Sequence, residues 1–157
     1  MPGDVAIIAQ RRLVLADFLP YRLSVLMNHI SSAIARTYSE RFDLTVPEWR
    51  VMAVLGGEQG LSARDVAERT AMDKVQVSRA IARLVAKKRL QRLTDAADAR
   101  VSRLSLTPKG RAIYDEIAPL ALALEDILLD ALSPADRVNL ERIMTKLGRQ
   151  VSLLGGG

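Results

Sequence analysis

Three helix-start signals fall within residues 45–76, and they fix most of what this chain can become. Thr45 stands three residues ahead of Glu48, Ser62 three ahead of Asp65, and Asp73 three ahead of Gln76. A Ser, Thr or Asp at that position accepts from the free N–H groups of a first helical turn, and an acidic or amide residue three further on can return the bond. The helix opened by Ser62 must end near Thr70, because Asp73 opens the next. Only the turn Thr70–Met72 is left between them, which is helix-turn-helix spacing.

The remaining elements follow by the same reading. A long first helix is predicted from Asp17 to Arg41, with Asp17 as its cap, Pro20 in its first turn, and Leu19, Leu23, Leu26, Ile30 and Ile34 spaced to bury one face. The Thr45 helix presents Val51, Val54 and Leu55 and is stopped by Gly56 and Gly57. The Asp73 helix carries an apolar stripe of Val77, Ile81, Leu84 and Val85. On another face Arg79, Arg83 and Lys87 form a basic stripe, and the helix fades around Lys88–Arg89. Leu90–Thr94 and Val101–Leu106 have strand character and flank the polar loop Asp95–Arg100, so they make a β-hairpin. Thr107-Pro108 and Ser133-Pro134 open two last helices, each a hydroxyl cap followed by proline. Their leucines are too many for one buried stripe, and a second copy of the chain is the simplest cover. The expected fold class is mainly α with a small β-hairpin wing. It is a single domain over 1–157, with a winged helix-turn-helix lobe at 45–107 and a helical dimerisation layer at 18–44 and 108–154.

Composition removes several functions. There is no cysteine and one histidine, His29, so thiol chemistry and the usual His/Cys metal sites lack their ligands, and no metal or other cofactor is expected. No Gly-rich phosphate loop or nucleophile elbow is present, and an enzyme is not expected. No apolar run approaches a membrane span. Residues 5–9 are apolar, but Asp4 before them and Arg11 and Arg12 after them do not make a secretory signal, so a cytoplasmic protein is expected. Charge is segregated. The net charge is +5, yet residues 61–111 hold 13 Lys/Arg against 5 Asp/Glu, while the rest of the chain is net acidic. A basic middle suits a polyanion.

In a helix-turn-helix the second helix enters the major groove by its leading end. Here that end offers Lys74, Val75, Gln76, Ser78 and Arg79, with Arg83 a turn further on. Gln pairs with adenine, Arg with guanine, and Val meets a thymine methyl. Lys74 and Ser78 suit phosphate oxygens, as do Ser62 and Arg64 at the start of the bracing helix.

Residues 61–111 resemble the winged helix-turn-helix of the MarR family of transcriptional regulators. The match is most specific in the wing, where Asp98-Ala99-Arg100, then Leu104-Ser105-Leu106-Thr107 and Gly110, is similar to the family's D-x-R…L-x-L-T-x-x-G signature. Ala99 departs from it, since many members carry a second arginine there. The resemblance implies that Arg100 reaches a minor groove while Asp98 fixes the hairpin tip. An exposed Asp98–Arg100 ion pair is the plainer alternative. It further implies a homodimer on a pseudo-palindromic operator in double-stranded DNA, acting as a repressor. The competing reading is a winged-helix protein-interaction subunit without operator binding.

Family members lose DNA affinity when a small molecule binds between the dimer layer and the DNA-binding lobe. Residues 18–23 and 47–50 are similar to members that answer to aromatic acids or their CoA thioesters. That resemblance implies a ligand set of Tyr21, Arg22, His29, Trp49 and Arg50, the cations and imidazole for a carboxylate and the aromatic rings for stacking. The alternatives are a packing role for Trp49 and His29, and ion pairs of Arg22 and Arg50 with Asp17 or Glu48.

Overall fold

The computed structural model describes residues 11–155, so the apolar stretch 5–9 lies outside the described residues. A 3-10 turn, Leu15–Asp17, leads into α1 (Leu19–Ala35) and a short α2 (Ser39–Phe42). Next come α3 (Val46–Gly57), α4 (Ala63–Thr70) and α5 (Lys74–Ala86). The hairpin β1 (Leu90–Thr94) and β2 (Ser102–Leu106) follows, then α6 (Pro108–Leu129) and α7 (Pro134–Leu154). The fold is mainly helical with one antiparallel hairpin, paired from Leu90–Leu106 to Thr94–Ser102. No helix among the described residues is long and apolar enough to cross a membrane.

The first helix differs from its expected form. It breaks after Ala35, and Ser39–Phe42 is a separate turn of helix. Thr37 and Tyr38 donate their amides only as far back as Ile34 and Ala35, so the helical ladder is lost there. Asp17 does not cap α1. It lies in the preceding 3-10 turn, and Phe18, which offers no side-chain acceptor, takes the cap position. The N-terminal part of the apolar face of α1 is also not buried among the described residues. Leu19, Leu23 and Leu26 are exposed, because no other element among the described residues lies over them. Nor do Gly56 and Gly57 stop α3. Both are inside it, and Glu58 is its cap.

The three caps that organise the lobe form as expected. Thr45 and Glu48 exchange their bonds, as do Ser62 and Asp65, and Asp73 accepts from Gln76 N at 2.8 Å. The core lies in the lobe and at its edges. Val51, Met52, Leu55, Val66, Val77, Ile81, Leu84, Leu90 and Leu104 are buried together with Tyr38, Leu44 and Ile117. The wing is fastened at its base by exchanged backbone bonds. Leu104 N donates to Leu61 O, and Gly60 N to Leu104 O, each at 2.8 Å. Gly110 explains the last residue of the wing motif. A Cβ there would stand 1.9 Å from the Arg89 carbonyl oxygen, so only glycine lets α6 cross the start of β1 this closely.

Candidate nucleic-acid interface

The leading end of α5 is a solvent-facing set of polar and cationic side chains held on a buried base. Val77, Ala80, Ile81 and Leu84 anchor the helix, which turns Lys74, Val75, Gln76, Ser78, Arg79 and Arg83 outward. None of the five polar side chains makes a hydrogen bond or ion pair among the described residues. By contrast Arg64, Arg69, Arg103 and Arg137 each meet a carboxylate. Val75 is more than half exposed, an apolar residue left in water at the tip of a helix. The Asp73 side chain is occupied by the cap.

Lys87 does not continue the basic stripe. Its Nζ turns inward, 2.6 Å from Asp43 O, 3.1 Å from the Asp43 carboxylate and 3.5 Å from the buried Glu48. Glu48 Oε2 already accepts from Thr45 N, and its other oxygen, sealed from water, needs a cation. Four-residue spacing put Lys87 in line with Arg79 and Arg83, but the spacing gave no sign of the buried carboxylate waiting for it.

Ser62 is half-buried, and its hydroxyl is committed to Asp65, donating at 2.7 Å and accepting from Asp65 N at 3.1 Å. The Ser62 hydroxyl bond leads in holding the Asp65 carboxyl below the usual range. Arg64 is exposed beside it and pairs loosely with Glu68 at 3.2 Å, an exposed contact that a phosphate displaces at small cost.

The wing is ordered by an aspartate that the sequence reading missed. Asp95 Oδ1 accepts from Ala97 N at 2.7 Å and Asp98 N at 3.1 Å, while its Oδ2 meets Arg103 Nε at 2.6 Å. The Arg103 bond leads in lowering the Asp95 carboxyl below its ordinary range, followed by the two amides. Asp98 does cap the tip, accepting from Arg100 N at 3.0 Å, and it also meets Arg100 Nε at 3.2 Å. The Arg100 side chain is 91% exposed, so this pair leaves the guanidinium free to exchange partners. Arg92, on β1, is a further exposed cation of the wing that the motif did not point to.

A separate cleft of about 600 Å³ opens between α1, α3 and the α4–α5 turn. Of the five ligand residues expected, Trp49 and Arg50 line it. Tyr21, Arg22 and His29 are exposed on α1 away from its walls. Arg50 donates to Ser31 Oγ at 3.3 Å rather than pairing with Glu48 or Asp17. Trp49 lies 5.5 Å from the Tyr38 ring and 5.9 Å from Tyr114, so it packs and lines the cleft at once. Tyr38 is a cleft residue with no local sequence signal. The break of α1 brings it there.

A family model described as MarR family matches residues 42–101. The chain is 31% identical over 85 residues to the HTH-type transcriptional regulator TtmR of Methylorubrum extorquens, a match covering 54% of this chain and 44% of that protein. It thus spans less than half of that relative's length. Among solved structures it is similar to BpsR of Bordetella bronchiseptica, whose DNA binding is regulated by 6-hydroxynicotinic acid. The identity is 28%, the TM-score is 0.76, and the match covers 88% of this chain and 98% of that one. The MarR/EmrR family regulator of Acinetobacter sp. ADP1 shares the fold with a TM-score of 0.81 at 23% identity, covering 90% of this chain and 99% of that one.

Proposed function

From the match of its winged-helix lobe to the MarR family model, we propose that this chain belongs to the MarR family and is a sequence-specific DNA-binding transcriptional regulator. It works as a homodimer that represses from a pseudo-palindromic operator and is released by a small aromatic acid. Its relatives are transcriptional regulators and not enzymes. The observation that carries the DNA-binding reading is the set of unpaired side chains on the leading end of α5. Arg64, Arg69, Lys87, Arg100 and Arg103 of the lobe each meet a carboxylate, while Lys74, Arg79 and Arg83 face outward without one among the described residues. In this reading Gln76 and Arg79 meet base edges and Val75 a thymine methyl. Arg64, Lys74, Ser78 and Arg83 contact phosphates while Ser62, both of whose donors are spent on Asp65, serves as the cap of α4, and Arg100 enters the minor groove from a tip that Asp98 holds.

The dimer is supported by α7, which has no buried residue along its whole length although Leu140, Ile143, Met144, Leu147 and Val151 share a helical spacing. A two-fold copy covers that stripe and places two α5 helices roughly one helical turn of DNA apart.

Effector control is supported by the cleft. Its floor includes Thr70 and Ala71 of the helix-turn-helix turn, so an occupant touches the element that sets the attitude of α5. A free acid suits it better than a CoA thioester. The two cations lining it are Arg50 and Arg69, and Arg69 is already paired with Glu58 at 3.1 Å, leaving little for several phosphates. Binding-site selection on random duplexes, repeated with 6-hydroxynicotinate and benzoate present, tests the whole reading. The expected result is a palindrome whose occupancy falls when acid is added, with log K dropping against log salt by about 0.9 per phosphate contact. Failure to enrich any palindrome overturns it in favour of a protein-interaction subunit.

A further inference from the structure

We propose that Lys87 and Arg89 are positioning residues for DNA recognition. They grip the Asp43 carbonyl from either side of the turn that joins α5 to β1, and so fix the attitude of α5 and of the wing without touching DNA. The inference rests on reading the leading end of α5 as the base-contacting surface.

The turn itself is closely specified. Arg89 N donates to Leu84 O and Lys88 N to Val85 O, each at 2.9 Å, which is the Schellman ending of a helix. Lys88 holds the left-handed position, φ 58°, where glycine is usual. Asp43, in the segment between α2 and α3, is left-handed too, with φ 50°. Its carbonyl oxygen accepts from Lys87 Nζ at 2.6 Å and from Arg89 Nη1 at 3.2 Å. Lys87 also meets the Asp43 carboxylate at 3.1 Å and the buried Glu48 at 3.5 Å, so its three donors face three acceptors. Behind the turn, the Thr107 hydroxyl donates to Lys88 O at 2.7 Å and Thr107 N to Arg89 O at 3.1 Å.

Stability alone does not account for Arg89. The residue is 9% exposed, its Nε is sealed without a partner, and no carboxylate meets it among the described residues. A buried cation with an unmet donor is unfavourable. What this placement supplies is a bond to Asp43 O from the residue that leads into β1, beside the bond Lys87 makes from the end of α5. One carbonyl thereby holds the helix and the first strand of the wing together. Lys87 and Arg89 stand at the end of α5 remote from Gln76 and Arg79. The 13 residues of α5 span about 20 Å, so a tilt of about 5° at this end moves the leading end by about 2 Å, enough to break a hydrogen bond to a base. The same tilt changes the angle to the hairpin that carries Arg100, so the two sets of DNA contacts no longer meet their grooves together.

Wild type is compared with Arg89→Met and with Lys87→Met combined with Glu48→Gln. Methionine keeps the apolar stem of each cation, and Glu48→Gln keeps an oxygen for Thr45 N without leaving a buried carboxylate unpaired. The measurements are affinity for a duplex carrying the palindrome that wild type enriches from random sequence, affinity for a scrambled duplex of the same composition, and melting temperature. Both variants are expected to lose roughly tenfold in preference for the palindrome. Affinity for the scrambled duplex and the slope of log K against log salt are expected to stay as in wild type, because no phosphate contact is removed. Arg89→Met is also expected to melt no lower than wild type, since it deletes an unmet donor, and a merely structural residue would move melting and not preference. Lys87→Arg, which keeps a cation within reach of Asp43 O, is expected to retain the preference. If the salt slope falls by about 0.9 per site in the Lys87 variant, Lys87 touches phosphate and the positioning role is overturned. Preference that survives in both variants also overturns it, while the DNA-binding reading stands. If wild type enriches no palindrome, the DNA-binding reading fails and this inference with it.

Discussion

The winged-helix lobe and the helices that flank it treat their apolar residues in opposite ways. In the lobe Val51, Leu55, Val66, Ile81, Leu84 and Leu104 are sealed, each at 1% exposure or less. On α1 and α7 the apolar residues are as numerous and as regularly spaced, yet neither helix has a buried residue. Even α6 divides along its length. Ile113 and Ile117 enter the core, while Leu122, Ile127 and Leu128 beyond Pro119 do not. One chain thus contains a lobe that closes its own core and a layer whose apolar faces stay open among the described residues. The lobe draws its stability from within, and in the proposed dimer the layer draws it from assembly, where stability depends on protomer concentration.

The sharpest way to break that contrast is to charge the layer. Ile143→Glu with Leu147→Glu is expected to leave the lobe folded and the protein monomeric by sedimentation. Operator affinity then falls by roughly a factor of 10²–10⁴, because two half-sites are no longer linked. Dimers that persist in this variant break the proposed role of α7. The matching change in the lobe is Leu84→Ala. It removes a fully buried side chain and is expected to lower unfolding stability by about 2–5 kcal/mol in a urea titration, with the sedimentation state of the surviving native fraction unchanged.

Within the lobe the same contrast separates side chains that hold the fold from those left free. Arg79→Ala is expected to cost about 1–3 kcal/mol of operator discrimination in competition binding, with no loss of thermal stability, because Arg79 has no partner among the described residues. Arg100→Ala is expected to reduce the slope of log K against log salt by about 0.9 per site. Asp95 behaves differently because it is a structural residue. Its folded pKa lies below its unfolded value, so its contribution to wing order is complete above the ordinary carboxylate pKa of about 3.9 and is lost as pH falls through the lower folded value. The Ala97 and Asp98 amide resonances are expected to titrate together in that acidic window, and Asp95→Asn is expected to abolish the titration. Independent shifts of the two amides count against a single Asp95 hinge for the tip.

The sequence disclosed most where a local rule has a single physical outcome. The caps at Thr45, Ser62 and Asp73, the hairpin, and the outward face of α5 each depend on residues within one or two turns of one another. What stayed hidden depends on distant partners. Lys87 looked like a surface cation until the fold brought Asp43 and Glu48 beside it. Tyr38 carried no motif, since its place follows from a helix break at Arg36–Tyr38 that periodicity ran straight through. Resemblance groups Tyr21, Arg22 and His29 with Trp49, yet α1 holds them away from the cleft in a single chain. In the sequence Asp95 is one more polar loop residue, because its role depends on Arg103 across the hairpin.

The smallest effect concerns the joint between the two halves of the helix-turn-helix. Ala71 caps α4 in a left-handed conformation, φ 52°, where glycine or asparagine is usual. It also lines the cleft, so the strained residue of the turn is one that the proposed effector touches. Ala71→Gly removes the clash between Cβ and the following carbonyl but loosens the unfolded chain, and these terms oppose each other. Because the conformation disfavours alanine by more than glycine's extra freedom disfavours folding, the net expectation is a gain of up to about 1 kcal/mol in urea denaturation. The same change is expected to soften the coupling between cleft and α5, so that benzoate displaces the operator less completely at saturation. A stabilised variant with undiminished displacement separates the strain in this turn from the path by which the two sites communicate.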